Sequence, residues 1–278
     1  MAPVLDPTWQ NPYSPTTAEK HANQSVVRSF ALRKKVPQIS LVSLVVVALF
    51  VGFVLMVWLP ILGVAIAALY VWDVRRSIMR YEQRGLLLGG LIQDQFRVGG
   101  TDTDRLRLST VLDRLAATFG VDAVTTAIVT DPGYNAALVP TGSKLFFFVT
   151  DALMRDFELI ELEGVVAHCL ARHRLGLLAR ESVAAVANLN DDARRALAGE
   201  GMAYRADEVA AAAIRHPLGL AGALRKCARQ IVPPDSFFVT TTYAEWRWVW
   251  FDIWSDRPRA DLSDLDDVEL RARALEEW

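Results

Sequence analysis

The chain is short of the residues that crosslink or serve as histidine and cysteine metal ligands. Its 278 residues include only four histidines and two cysteines. Cys169 and Cys227 are too few for a disulfide framework and fit a reducing cytosol. Neither sign of charge dominates. Thirty basic residues against 32 acidic ones give a formal net charge of −2, which offers no electrostatic reason to expect a nucleic-acid partner. No internal repeat is visible. With 52% hydrophobic residues and a mean hydropathy of +0.21, the chain holds one sizeable domain plus something more apolar than a soluble protein requires.

Charge is missing altogether between residue 37 and Asp73, in PQISLVSLVVVALFVGFVLMVWLPILGVAIAALYVW. A single helix over residues 37–74 would run to roughly 55 Å, far beyond a hydrocarbon core of about 30 Å. Two spans of about 17 residues each, turning around Leu59 and Pro60, match a bilayer better. Arg28, Arg33, Lys34 and Lys35 precede the segment, and Arg75, Arg76 and Arg80 follow it. A hairpin keeps both basic clusters on the cytoplasmic side. The segment starts too late and is too long to be a signal peptide. Residues 1–36 are polar, proline-containing and without periodicity, and are expected to form a disordered cytoplasmic tail. Residues 37–74 are then a transmembrane hairpin, and 75–278 a domain facing the cytoplasm from the plasma (inner) membrane.

Residues 74–96 read as a charged helical stalk. The run T-D-T-D from Thr101 opens a helix with an apolar face of Leu106, Leu108, Val111, Leu112 and Leu115, stopped at Gly120. Short strands are expected at 127–130 and 144–150, joined through turns at D-P-G (131–133) and P-T-G (140–142). Residues 157–229 are helical in pattern, with breaks at 188–192 and at His216 and Pro217. Trp246, Trp248 and Trp250 alternate with the period of a strand, in an aromatic run ending at Trp254. Core packing is their simplest role, and a membrane-interface or partner surface suits them too. Ser263 is a fitting N-cap for a closing amphipathic helix over 263–278. The whole reads as an α+β domain, mostly helical, on a membrane hairpin.

Residues 159–176, LIELEGVVAHCLARHRLG, have the setting of a zinc-protease helix without most of its chemistry. Such a helix carries H-E-x-x-H, two histidines on one face with a glutamate as general base. Here His168 is followed by Cys169 in the glutamate position and Arg172 in the second histidine position. His173 comes one place late, about 100° round the helix. Several further segments, in order, resemble the HtpX-like and CAAX-prenyl-protease family of membrane zinc metallopeptidases. YNAALVP (134–140) and KLFFFVTDALM (144–154) are similar to that family's edge strand and the strand after it. ELEGVVAH (161–168) resembles the lead into the active-site helix. AYRAD (203–207) and PLGLAGAL (217–224) resemble the third motif and its sequel. SDRP (255–258) and ELRARAL (269–275) resemble the closing segments.

The resemblance implies a zincin-like domain with a small β-hairpin or sheet, and zinc held by two helix histidines and a glutamate. Those three positions are His168, Arg172 and Ala203 here, and Arg257 stands where the closing motif has a histidine. Catalytic zinc needs three protein ligands and a water, and a guanidinium stays protonated and repels Zn²⁺. The expectation is a pseudoprotease with no catalytic residue, Cys169, Arg172 and Ala203 being degenerate positions. No cofactor is expected, and His168 is a vestigial ligand. An active, divergent metalloendopeptidase is the alternative. Its relocated zinc ligands would be Cys169 and His173, which share a helical face, and Asp207 or Glu208. A Cys169 nucleophile activated by His173 or His168 would lack an oxyanion hole, and a small core residue is the plainer reading.

Without zinc, the old site needs its polar groups paired. Arg172 supplies the lost positive charge in a network with Asp207 and His168. The retained cleft would take an extended peptide along Asn135, Ala136, Ala137 and Leu138 by β-addition. The expected partners are the lipid bilayer and a protein or peptide. Glu161 and Glu163 read as a solvated first turn suited to the helix dipole, and His216 as a cap or surface residue.

Overall fold

A computed structural model describes residues 13–53, 59–122, 124–252 and 267–278. Two 37-residue helices dominate the N-terminal third, α1 (Thr17–Phe53) and α2 (Leu59–Gln95). Each is about 55 Å long. Arg28 meets Glu82 at 3.0 Å and Lys35 meets Asp73 at 2.7 Å, so the two run antiparallel and both basic clusters lie at one end of the apolar stretch. Pro60 falls in the first turn of α2, where its missing N–H costs nothing. The connection, residues 54–58, lies outside the described residues. Among the described residues, no helix is long and apolar enough to cross a membrane.

The expected disorder of residues 1–36 is corrected from Thr17 onward, while residues 1–12 lie outside the described set. The cause is tertiary packing rather than local periodicity. Val27 and Ala31 are buried. Asn23 donates its side-chain amide to the Leu175 carbonyl at 2.9 Å and accepts from Arg180 Nη1 at 2.9 Å.

Helix α3 (Asp102–Phe119) starts on a reciprocal cap. Thr101 Oγ1 accepts from the Asp104 amide at 3.2 Å, and the Asp104 carboxylate accepts from the Thr101 amide at 2.8 Å. It stops at Gly120, whose φ of 63° suits glycine. Leu108, Val111, Leu112 and Leu115 are buried, but Leu106 is exposed and does not join that face.

The sheet has three strands, β1 (Val124–Val129), β2 (Ala136–Thr141) and β3 (Lys144–Thr150), in the order β1-β3-β2. Strands 127–130 and 144–150 were expected to be joined as a hairpin. They pair in parallel instead, and the hairpin is β2–β3, turning at Gly142 with Thr141 opposite Lys144. Two residues suffice for that turn, whereas a parallel pair needs a longer crossover.

Five helices follow: α4 (Asp151–Asp156), α5 (Leu159–Arg174), α6 (Leu178–Val186), α7 (Asp191–Ala198) and α8 (Met202–Ala213). Next comes α9 (Pro217–Arg229). Both expected breaks are present, with Asn190 capping α7 and His216 at the N-cap position ahead of Pro217, and two unexpected ones fall at 175–177 and 199–201. Helix α5 is buried on almost every side, Glu161, His168 and Arg172 included, so these polar side chains need partners inside the protein. It crosses α9 at backbone contact. A Cβ on Gly164 would stand 2.6 Å from Leu220 Cα, and one on Gly219 would stand 2.4 Å from the Ile160 carbonyl oxygen.

The tryptophan run is not a strand. It forms α10 (Thr241–Trp246) and a 3-10 turn (Arg247–Val249), after which Trp250 bridges to Ala137. Its core role holds, since Trp246, Trp248 and Trp250 are buried. Trp254, Ser255, Arg257, Pro258 and Ser263 lie outside the described residues. The last helix, α11 (Val268–Glu276), is capped by Asp267.

Candidate functional site

His168 and Arg172 are four apart on α5 and share a face, which looks toward α6, α8 and residues 248–251. With Ala203, they line one cavity of about 30 Å³ that also touches Glu181, Trp248 and Trp250. The three positions that the family resemblance marks as ligand positions therefore converge in space. The cavity has room for about one water and none for a peptide backbone.

Two ion clusters fill this region. In the first, Arg172 forks onto Glu181, with Nη2 to Oε2 at 2.7 Å and Nε to both carboxylate oxygens at 3.1 Å. Its remaining donors go to backbone carbonyls, Nη2 to Trp248 at 2.7 Å and Nη1 to Val249 at 2.9 Å. Both side chains are buried, and a planar guanidinium with five donors can satisfy this set where lysine could not.

In the second cluster, His168 Nδ1 lies 2.7 Å from Asp207 Oδ1, and Arg271 Nε donates to Asp207 Oδ2 at 2.6 Å. Phe251 packs against the His168 ring at 5.3 Å. The expected network of Arg172 with Asp207 and His168 is corrected, because the charges divide into these two clusters. Arg172 reaches Glu181 rather than Asp207, and Arg271 serves Asp207. The reason is direction: α6 brings Glu181 beside Arg172, while α11 carries Arg271 onto α8. A signal for Arg271 was available, because Val268, Arg271, Ala272 and Leu275 share the helical period of a buried face. Glu181 had only the oddity of a charge in an apolar helix.

Burial drives the His168 pKa down to about 4, against the pull of Asp207. Burial alone would raise the Asp207 carboxyl, but Arg271 and His168 outweigh it and hold the group below its ordinary value. The ring is thus neutral at pH 7 and its Nδ1–H donates to an ionised carboxylate. Burial also pushes the Cys169 thiol up to about 12, with Arg172 opposing. A thiol so protonated is no nucleophile.

The donor set does not fit zinc. Of the positions that the resemblance marks as ligands, one holds a cation and another a methyl group, and Glu181 gives both its oxygens to Arg172. Among the described residues, no group of three or more His, Cys, Asp or Glu side chains can hold a metal ion, so Cys169, His173 and Asp207 do not assemble. Glu208 pairs with Arg205.

The edge strand is closed as well. Asn135, Ala136, Ala137 and Leu138 are all buried. The Phe251 amide donates to the Ala136 carbonyl at 2.7 Å. Asn135 clamps the same segment, giving Nδ2–H to the Asp252 carbonyl at 3.0 Å and accepting from its amide at 2.9 Å. The chain's own residues 250–252 occupy the edge expected to receive a peptide. Glu161 is likewise not a solvated residue: it is buried, bonds the Glu158 amide at 2.7 Å and pairs with Lys226. Glu163 pairs with Arg114. No protein-family model matches this chain, and no curated protein matches it.

Proposed function

We propose that the chain is a membrane-anchored, non-catalytic relative of the HtpX-like metallopeptidases that serves as a subunit of a membrane complex. One observation carries the reading. Arg172, at the position of the family's second helix histidine, is buried and commits its guanidinium to Glu181 and the carbonyls of residues 248 and 249. A cation so held takes the electrostatic place of a metal and leaves no open coordination position. The closed β2 edge favours a subunit that offers its outer surface over one that threads a peptide along β2.

Anchoring in the plasma (inner) membrane with the domain toward the cytoplasm draws on the charge-free stretch before Asp73 and the basic residues at its two ends. It also draws on α1 and α2, where Leu44, Val47, Phe50, Val64, Leu69 and Val71 are 62–72% exposed. Apolar side chains gathered in this way mark a lipid or protein contact.

The test is metal content and extraction. Full-length protein purified in mild detergent should carry less than a tenth of an equivalent of zinc, unchanged by His168→Ala, and should not cleave casein. Near-stoichiometric zinc lost in His168→Ala would overturn the non-catalytic reading. Carbonate washing should leave the chain in the membrane pellet, and its release would overturn the anchoring.

A further inference from the structure

A second site lies where the N-terminal end of α1 meets the far end of α5. An open cleft of about 690 Å³ there is lined by Lys20, His21 and Arg174, with hydroxyls from Thr16 and Thr118 and no carboxylate. None of the three basic side chains has a hydrogen-bond or ion-pair partner among the described residues. Several other arginines are paired with acids. Arg155, Arg172, Arg205, Arg225 and Arg271 each hold a carboxylate. Glu19, next to Lys20 in sequence, is held by Arg205.

Lys20 and Gln24 also line an adjoining cavity of about 310 Å³. Its walls are mainly apolar, including Val27, Leu86, Leu145, Leu178 and Val183. Its one acid, Glu82, is paired with Arg28. The size falls at the lower end of small-molecule sites, roughly 300–1,000 Å³. A basic vestibule opening on an apolar chamber has the shape and charge of a receptor for a head-and-tail molecule.

We propose that this seam binds an anionic single-chain amphiphile, with its carboxylate or phosphate head among Lys20, His21 and Arg174 and its tail in the apolar chamber. Along α1, Lys20 stands about 25 Å short of residue 37. The ligand is therefore a free molecule taken into the seam, not a lipid whose chains stay in a bilayer. The site is separate from the Arg172 network and holds whether or not that network replaced a metal.

The experiment uses the full chain in amphipol and 11-(dansylamino)undecanoic acid as a fluorescent probe. Saturable one-to-one binding is expected, displaced by dodecanoate or dodecyl phosphate at concentrations at least tenfold below those needed for dodecanol. Displacement by only one of the two anions identifies the head group. The Lys20→Glu/Arg174→Glu variant should bind the probe at least tenfold more weakly with an unchanged melting temperature. The neutral Lys20→Met/Arg174→Met variant takes its place if charge reversal impairs folding. Equal displacement by dodecanol, unchanged affinity in the charge variants, or no saturable binding would each overturn the proposal.

Discussion

Replacing Arg172 by methionine tests the central site most directly. Methionine keeps much of the length and apolar stem but removes every donor. Glu181 is then a buried carboxylate with no counter-charge, and the carbonyls of Trp248 and Val249 lose their partners. Removing one member of a buried pair costs about 3–5 kcal/mol. At about 2–4 °C per kcal/mol for a domain of this size, the melting temperature should fall by roughly 6–20 °C. Tryptophan fluorescence follows the transition well, because Trp248 and Trp250 line the same cavity. Adding Glu181→Leu removes the stranded charge. The double variant should therefore be less destabilised than the sum of the two single changes, with a coupling of about 1–3 kcal/mol. An unchanged melting temperature in Arg172→Met would falsify the network, and strictly additive effects would show that the two side chains do not act as a pair.

Three further outcomes follow from the same region. His168 has a folded pKa of about 4, below its ordinary 6.5, so the unfolded chain takes up its proton first as pH falls. Its contribution is complete above pH 6.5 and is lost between 6.5 and 4. Urea unfolding across that range should show stability declining toward acid, with a shallower slope in His168→Gln; identical slopes would contradict the assignment. Asn135→Ala removes the hydrogen bonds to the Asp252 amide and carbonyl, of which the carbonyl keeps the Tyr243 hydroxyl, at a cost of about 1–3 kcal/mol. Hydrogen exchange should then quicken at the Phe251 amide, and equal protection there would mean that Asn135 does not hold residues 250–252 on β2. Burial raises the thiol of Cys169 to about 12 and that of Cys227 well above its ordinary value. Neither should react with iodoacetamide at pH 8 until denaturant is added, and rapid native labelling of Cys169 would revive a nucleophile at that position.

Helix existence was readable along most of the chain because it is a local property. The caps at Thr101 and Asn190 and the break before Pro217 fall where residue chemistry sets them. The helical arm from Thr17 was not readable. It has no amphipathic period of its own and is held by Asn23, Val27 and Ala31 against α5 and α6. Strand pairing was misread for a related reason. Alternation identifies strands, but parallel or antiparallel partners are chosen by connections and by what covers the sheet.

The sequence alone determined that His168, Cys169 and Arg172 do not make an H-E-x-x-H pattern, because residues at fixed helical spacing are visible without a fold. It also determined that Arg172, once buried beside His168, would need a counter-charge, since desolvation of a guanidinium demands one. Only the tertiary structure decided that the counter-charge is Glu181, that Asp207 belongs to Arg271 and His168, and that residues 250–252 close the β2 edge. These partners come from α6, α11 and the segment after α10, far apart in the chain. Their meeting is a matter of how helices pack, which no local pattern encodes.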